Sequence, residues 1–153
     1  MSDLEARVRV LEDRLEIIDL IAGYGPSVDS GDDAAVAELW TEDGEYTFGA
    51  ASRDATTLMG AEVGALVNLP GHRRYMGNGC GHVLTTPRVS IDGDEALAFN
   101  HSLLVLYDGQ RWVIERASSN RWELERIEGR WRVRRRVNAL LDGAPAAFGL
   151  FRP

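Results

Sequence analysis

The sequence predicts an α+β fold in which helices come first and a strongly curved antiparallel sheet follows, a cone wrapped by N-terminal helices and enclosing one pocket. Two observations predict it. Leu4, Val8, Leu11, Leu15 and Ile18 recur at alternating steps of four and three, which lines one helix face with apolar side chains while Glu5, Arg7, Glu12, Asp13 and Arg14 stay solvated. Beyond Gly81 the chain becomes a series of strands divided by turn signals at "DGD" (92–94), "DG" (108–109) and "EGR" (128–130), so hairpin pairing is the economical topology.

The first helix carries its stripe through Ile21 to Tyr24, and "GYGPSVDSGDD" then interrupts the pattern, so the helix ends or bends there. Asp32 or Asp33 caps a second helix over "DAAVAELW". "TEDGEYTFG" reads as a turn into a strand, and "GAEVGALVNLPGHRRYMG" as a short helix starting near Ala61 and ending before Pro70. The segments "EALAFNHSLLVLY", "RWVIERASSNRWELERI" and "RWRVRRRVNALL" alternate imperfectly, as strands do when a sheet curves with one face on helices and the other lining a cavity. The tail "DGAPAAFGLFRP" carries Phe148, Leu150 and Phe151, which predicts that it folds back over an apolar opening or against a neighbouring subunit.

Composition bounds the function. A chain of 153 residues with 44% hydrophobic content is the size of one domain, here residues 1–153, and shows no repeat or linker. A net charge of −7 argues against nucleic acid or an anionic membrane as partner, although "RWRVRRRVN" clusters positive charge locally. The N-terminus is too charged for a signal peptide and no apolar run spans a bilayer, so a cytoplasmic location is expected. The single cysteine, Cys80, forms no internal disulfide and no zinc motif of the usual spacing; it reads better as a small buried thiol than as a nucleophile. With no Gly-rich nucleotide fingerprint and no HExxH, no cofactor and no metal are expected. Trp40, Trp112, Trp122 and Trp131 read as core and subunit-interface anchors.

Two of the three histidines fall within "GNGCGHVLTTPRVSIDGDEALAFNHS". Together with "LEIIDLIAGYGPSVDSGD", "LWTEDGEYTFG" and "IEGRWRVRRRVN", this order of motifs resembles the SnoaL-like members of the nuclear transport factor 2 superfamily. The resemblance covers nearly the whole chain and is strongest to the branch that includes scytalone dehydratase, bile-acid dehydratase and hexachlorocyclohexane dehydrochlorinase. It implies a catalytic pair, Asp29 at the end of the first helical segment and His82 where the chain enters the sheet. It further implies Tyr24, one and a half turns before the aspartate, and Arg136, five residues beyond Trp131, as the groups that hold and polarise substrate.

An imidazole titrates near neutrality and can take a proton from carbon, while a carboxylate on its far nitrogen fixes the tautomer and stabilises the imidazolium. Arg136 supplies fixed positive charge for an enolate or a departing hydroxide or halide. His101 and Asn138 are further candidates for substrate binding; Asn138 shares strand parity with Arg136, as does Arg134, whereas Arg135 points the other way. His72 reads as a loop residue.

The expected function is a cofactor-independent elimination (dehydratase or dehydrohalogenase type) or an isomerisation of a small, mostly apolar cyclic molecule. Polyketide cyclisation rests on the same proton abstraction. The alternative is a non-catalytic ligand-binding or accessory subunit, like the small subunit of ring-hydroxylating dioxygenases. A homo-oligomer, dimer or trimer, is expected, and the N-terminal stripe serves either the cone or another subunit.

Overall fold

A computed structural model describes residues 3–50, 52 and 54–152. Helices α1 (Asp3–Ser30) and α2 (Asp33–Glu38) lead into strands β1 (Trp40–Phe48) and β2 (Thr56–Met59). Helix α3 (Ala61–Ala65), a 3-10 turn (Leu66–Asn68) and α4 (Pro70–Asn78) follow, then β3 (Cys80–Leu84), β4 (Arg88–Asp92), β5 (Glu95–Tyr107), β6 (Trp112–Ile127), β7 (Arg130–Leu140) and α5 (Pro145–Gly149). The strands form one curved, unclosed sheet in the order β2-β1-β7-β6-β5-β3, with β4 also paired to β5.

The three expected turns join β4 to β5, β5 to β6 and β6 to β7, all antiparallel. At the last of them Glu128 and Gly129 both have positive φ, 50° and 81°, the backbone that closes a two-residue hairpin with the right twist. One pairing departs from expectation: β1 runs parallel to β7. These strands are far apart in the chain, so no hairpin dictates their direction. The turn expected near Gly44 is instead an irregularity inside β1, between Trp40 and Glu45.

Helix α1 neither ends nor breaks at Pro26 but runs to Ser30, and Gly31 closes it with φ of 73°. Pro26 is exposed and costs one backbone donor, and Ser27 Oγ donates to the Gly23 carbonyl at 2.9 Å within the same turn. Pro70, expected to end a helix, begins one: it occupies the first turn of α4, where a missing N–H costs nothing. Strand β2 has no counterpart in the sequence reading.

Ile17, Ile21, Tyr24 and Val28 bury the inner face of α1 against Trp122, Leu124, Trp131 and Val133 of the sheet. Trp40, Trp122 and Trp131 are core residues, whereas Trp112 is 59% exposed. A polar clamp fixes the entry of α1. Asp13 accepts from Arg126 Nη1 and Nη2, each at 2.6 Å, and from Trp131 Nε1 at 3.3 Å, while Glu16 accepts from the Trp131 amide at 2.9 Å. The Arg126 guanidinium also lies 4.6 Å from the centre of the Trp131 ring and bonds Asp94 at 3.0 Å.

The tail covers the outer face of β5 and β6. Ser119 Oγ donates to the Ala147 carbonyl at 2.7 Å, Arg121 Nη1 to the Arg152 carbonyl at 2.7 Å, and Phe151 packs on His101. No helix among the described residues is long and apolar enough to cross a membrane.

The hydrogen bonds from Arg126 hold the Asp13 carboxyl below its ordinary pKa of 3.8. A carboxylate whose pKa is lowered by folding adds stability above its unfolded pKa and loses it as pH falls through the folded value. Asp13→Asn is expected to cost about 1–3 kcal/mol in urea denaturation at pH 7, because it leaves the largely buried Arg126 with only the exposed Asp94 carboxylate as charge partner, and the difference from wild type should shrink only below about pH 4.

Candidate active site

Cross-strand pairing sets the inward face of the sheet in rows. His82 pairs with Leu104 and Leu104 with Arg116; Asn100, Asn120 and Asn138 form the next polar row but one; Ala98, Trp122, Arg136 and Tyr46 form the row beyond it. Paired residues present side chains to the same face, so His82, Asn138 and Arg136 all face inward.

Helix α1 delivers Asp29 to this face. Its approach to β3 is set by Gly25, where an added Cβ would overlap the His82 carbonyl oxygen; only glycine lets the two backbones come this close. One turn later the Asp29 carboxylate takes three hydrogen bonds: from His82 Nδ1–H at 2.6 Å, from the His82 amide at 2.8 Å and from the Cys80 thiol at 3.5 Å. The pair is shielded, with side-chain exposures of 14% for His82 and 25% for Asp29. Nε2 of His82 makes no hydrogen bond among the described residues and is the basic atom left over.

The electrostatics favour a neutral imidazole beside an ionised acid. Burial lowers the His82 pKa below 6.5, and the charges of His72 and Arg116 push the same way, outweighing the support from Asp29. For Asp29 burial acts upward, yet the hydrogen bonds from the His82 ring and amide bring its carboxyl below 3.8. Burial and the Asp29 charge push the Cys80 thiol up to about 11, so it stays protonated and donates, which matches an inert thiol rather than a nucleophile. Cys80, His82 and Asp29 place their donor atoms within 4.8 Å of one another, a set of ligand types that suits zinc. Here the Asp29 carboxylate accepts from both of the others.

His72 is not a loop residue. It is buried in α4, its Nε2 lies 2.7 Å from the Val28 carbonyl, and its ring stacks 5.6 Å from that of His82. His72 thereby ties α4 to α1 behind the pair.

Arg136 is 2% exposed. Its guanidinium lies 4.1 Å from the centre of the Tyr24 ring, 4.1 Å from that of Trp122 and 4.6 Å from that of Tyr46, with no carboxylate in ion-pair range among the described residues. Asn120 Oδ1 accepts from Arg136 Nε (3.2 Å) and Nη2 (2.8 Å) and from Asn138 Nδ2 (3.0 Å). Among the described residues Arg136 Nη1 and Trp40 Nε1 are buried donors that meet no acceptor, a capacity an oxygen or halide of a ligand would satisfy. Tyr24 meets His82 edge-on at 6.2 Å, and burial raises its phenol far above 10, so it remains a hydrogen-bond donor. A hollow of about 380 Å³ opens beside Asn138 and Arg116 and is also lined by Phe48 and Glu115.

Two expectations about orientation change. Arg134 does not share the face of Arg136: Glu123 pairs with Arg135 and Leu124 with Val133, so Arg134 is the extra residue of a bulge, and both it and Arg135 are exposed. His101, a candidate for substrate binding, alternates with the inward Asn100, so it lies on the outer face, exposed and 4.7 Å from the Phe151 ring. Asn120, Asn100, Tyr46 and Trp40 were not anticipated. Each of Asn100, Asn120 and Asn138 has an apolar or aromatic residue two positions away on one side only (Ala98, Trp122 and Leu140) and a polar one on the other, so strand parity in the sequence marks their inward face only weakly.

A curved sheet wrapped by helices, here with a half-buried histidine and aspartate between them, has the architecture of a class, the nuclear transport factor 2-like proteins of cystatin-like fold. Within it the chain belongs to the SnoaL-like domain family, whose model matches residues 9–137. A nuclear transport factor 2-like protein from Novosphingobium aromaticivorans is 43% identical, with 99% of this chain and 96% of that one covered and a TM-score of 0.93. A hexachlorocyclohexane dehydrochlorinase (LinA type 3) from Novosphingobium barchaimii shares the fold at 24% identity and a TM-score of 0.71, covering 92% of this chain and 91% of that one. No curated protein matches the chain.

The close packing at Gly25 makes a contrast between neighbours. Gly25→Ala is expected to lose about 1–3 kcal/mol in urea denaturation through overpacking on β3, whereas Gly23→Ala, with nothing within 4 Å of the new methyl, should gain up to about 1 kcal/mol from helix propensity.

Proposed function

We propose that the protein is a cofactor-independent lyase that eliminates water or halide from a small, mostly apolar cyclic molecule. The observation that carries this reading is the 2.6 Å contact between His82 Nδ1 and Asp29 Oδ1, which leaves Nε2 as an unprotonated base at neutral pH. In the proposed reaction Nε2 takes a proton from a carbon adjacent to the one bearing the leaving group. The C–H electron pair becomes the new double bond and the leaving group departs with its own pair. Asp29 holds the imidazolium that results, and the fixed charge of Arg136 offsets the negative charge that develops on the substrate. Tyr24 donates to a departing hydroxyl. Asn138 borders the hollow through which substrate would approach. The fold shared with a dehydrochlorinase supports this reading, and return of the proton to another carbon would give isomerisation by the same groups.

A ligand-binding or accessory role is the second reading, favoured by the aromatic rings that close around Arg136. Copurification with a large iron-containing subunit would support it.

Halide release from hexachlorocyclohexane isomers and alkene formation from cyclic β-hydroxyketones are the assays. His82→Ala and Asp29→Asn are each expected to lower turnover by about a hundred- to ten-thousandfold with the fold retained. Wild-type kcat/KM should fall on the acid side with an apparent pKa below 6.5, since protonation removes the base. Activity unchanged from wild type in both variants would refute the assignment.

A further inference from the structure

Helix α1 has two apolar faces, and the cone uses one. Ile17, Ile21, Tyr24 and Val28 are buried against the sheet, with Asp13 on the same side. The stripe of Leu4, Val8, Leu11 and Leu15 lies about 140° away around the helix axis at 100° per residue. These four side chains are 67%, 43%, 59% and 65% exposed, a cost that a stripe of this length does not carry unless something covers it.

Its spacing and charges say what covers it. Steps of four and three place Leu4 and Leu11 at the d positions of a heptad and Val8 and Leu15 at the a positions, while Ile18, at the next d, is already packed partly against the cone; within the exposed seam, a β-branched residue at one a and leucine at both d positions suit two strands. The flanking e positions then hold Glu12 and Asp19 and the g positions Arg7 and Arg14. In a parallel pair each g residue meets the e residue of the partner's following heptad, so Arg7 faces Glu12 and Arg14 faces Asp19, attractive on both sides of the seam. In an antiparallel pair g meets g and e meets e, setting arginine against arginine and acid against acid. Arg7 lies 3.9 Å from Asp3 of its own helix, a solvent-exposed contact that is easily exchanged.

We infer that α1 forms a parallel, in-register, two-stranded coiled coil with a second copy of this chain, with the two cones on opposite sides of the seam. The clamp of Asp13 and Glu16 onto Arg126 and the Trp131 amide turns the stripe outward, and the rotation of the helix is therefore fixed before the partner arrives.

The test measures mass in solution by light scattering together with cross-linking. Leu11→Glu with Leu15→Glu is expected to halve the mass of the wild-type assembly while the helical circular dichroism of the cone is kept, because both positions are exposed in the protomer. Arg14→Glu should weaken association about fivefold or more, and Arg14→Glu combined with Asp19→Arg should restore it. Leu4→Cys should form a disulfide-linked dimer on oxidation, since identical d positions face one another only in a parallel, in-register pair; wild type, which carries Cys80, is the control. A wild-type monomer, an unchanged mass in the double glutamate variant, or failure of Leu4→Cys to cross-link would each overturn the inference. None of these readouts depends on catalysis.

Discussion

The Asp29 carboxylate is the point at which the first helix and the sheet are joined at the candidate site. It takes a ring N–H and a backbone N–H from the same residue, His82, so it fixes both the tautomer of the imidazole and the height of β3 against α1. That geometry has requirements upstream. The helix must run past Pro26 without ending, its backbone must touch that of β3 at Gly25, and its register must be held from its other end by Asp13 and Glu16. A loop bearing the same aspartate would not present two oxygens to two donors with this economy.

Charge within the cone is divided between a group that titrates and one that does not. Burial favours the neutral form of His82, whereas Arg136 is charged throughout and is made tolerable by three ring faces and the Asn120 carbonyl in place of a carboxylate. An acidic partner would neutralise the cation and compete with any anion forming on a ligand. Rings and an amide hold the guanidinium in place without doing so. The unpaired Nη1 is the direction in which that charge remains available.

Local patterns in the sequence made the strands readable. The bounds of β5 are those of "EALAFNHSLLVLY", and the turns before and after β6 coincide with "DG" and "EGR", because glycine at positive φ marks a hairpin whatever surrounds it. Pairing of Asp29 with His82 was legible through the family resemblance alone, since nothing in the sequence between two residues 53 positions apart signals contact. What the sequence hid depends on tertiary context. Pro70 starts or stops a helix equally well on local grounds; a single bulge at Arg134 decides which arginine of three turns inward; and His72 is a stacking partner of His82 only because α4 exists. The stripe from Leu4 to Leu15 is one helix face, but its expected continuation through Ile21 to Tyr24 is not, since those two lie on the buried face; periodicity does not reveal which of two faces meets the cone.

The state of the His82 imidazole in the resting protein tests the central claim most directly. Nitrogen-15 chemical shifts of the His82 ring at pH 7 should show a neutral ring with the proton on Nδ1, titrating with a midpoint below 6.5. A proton on Nε2 in the neutral ring, or a ring already cationic at pH 7, would contradict the account, because neither form has a free basic nitrogen turned toward the cone.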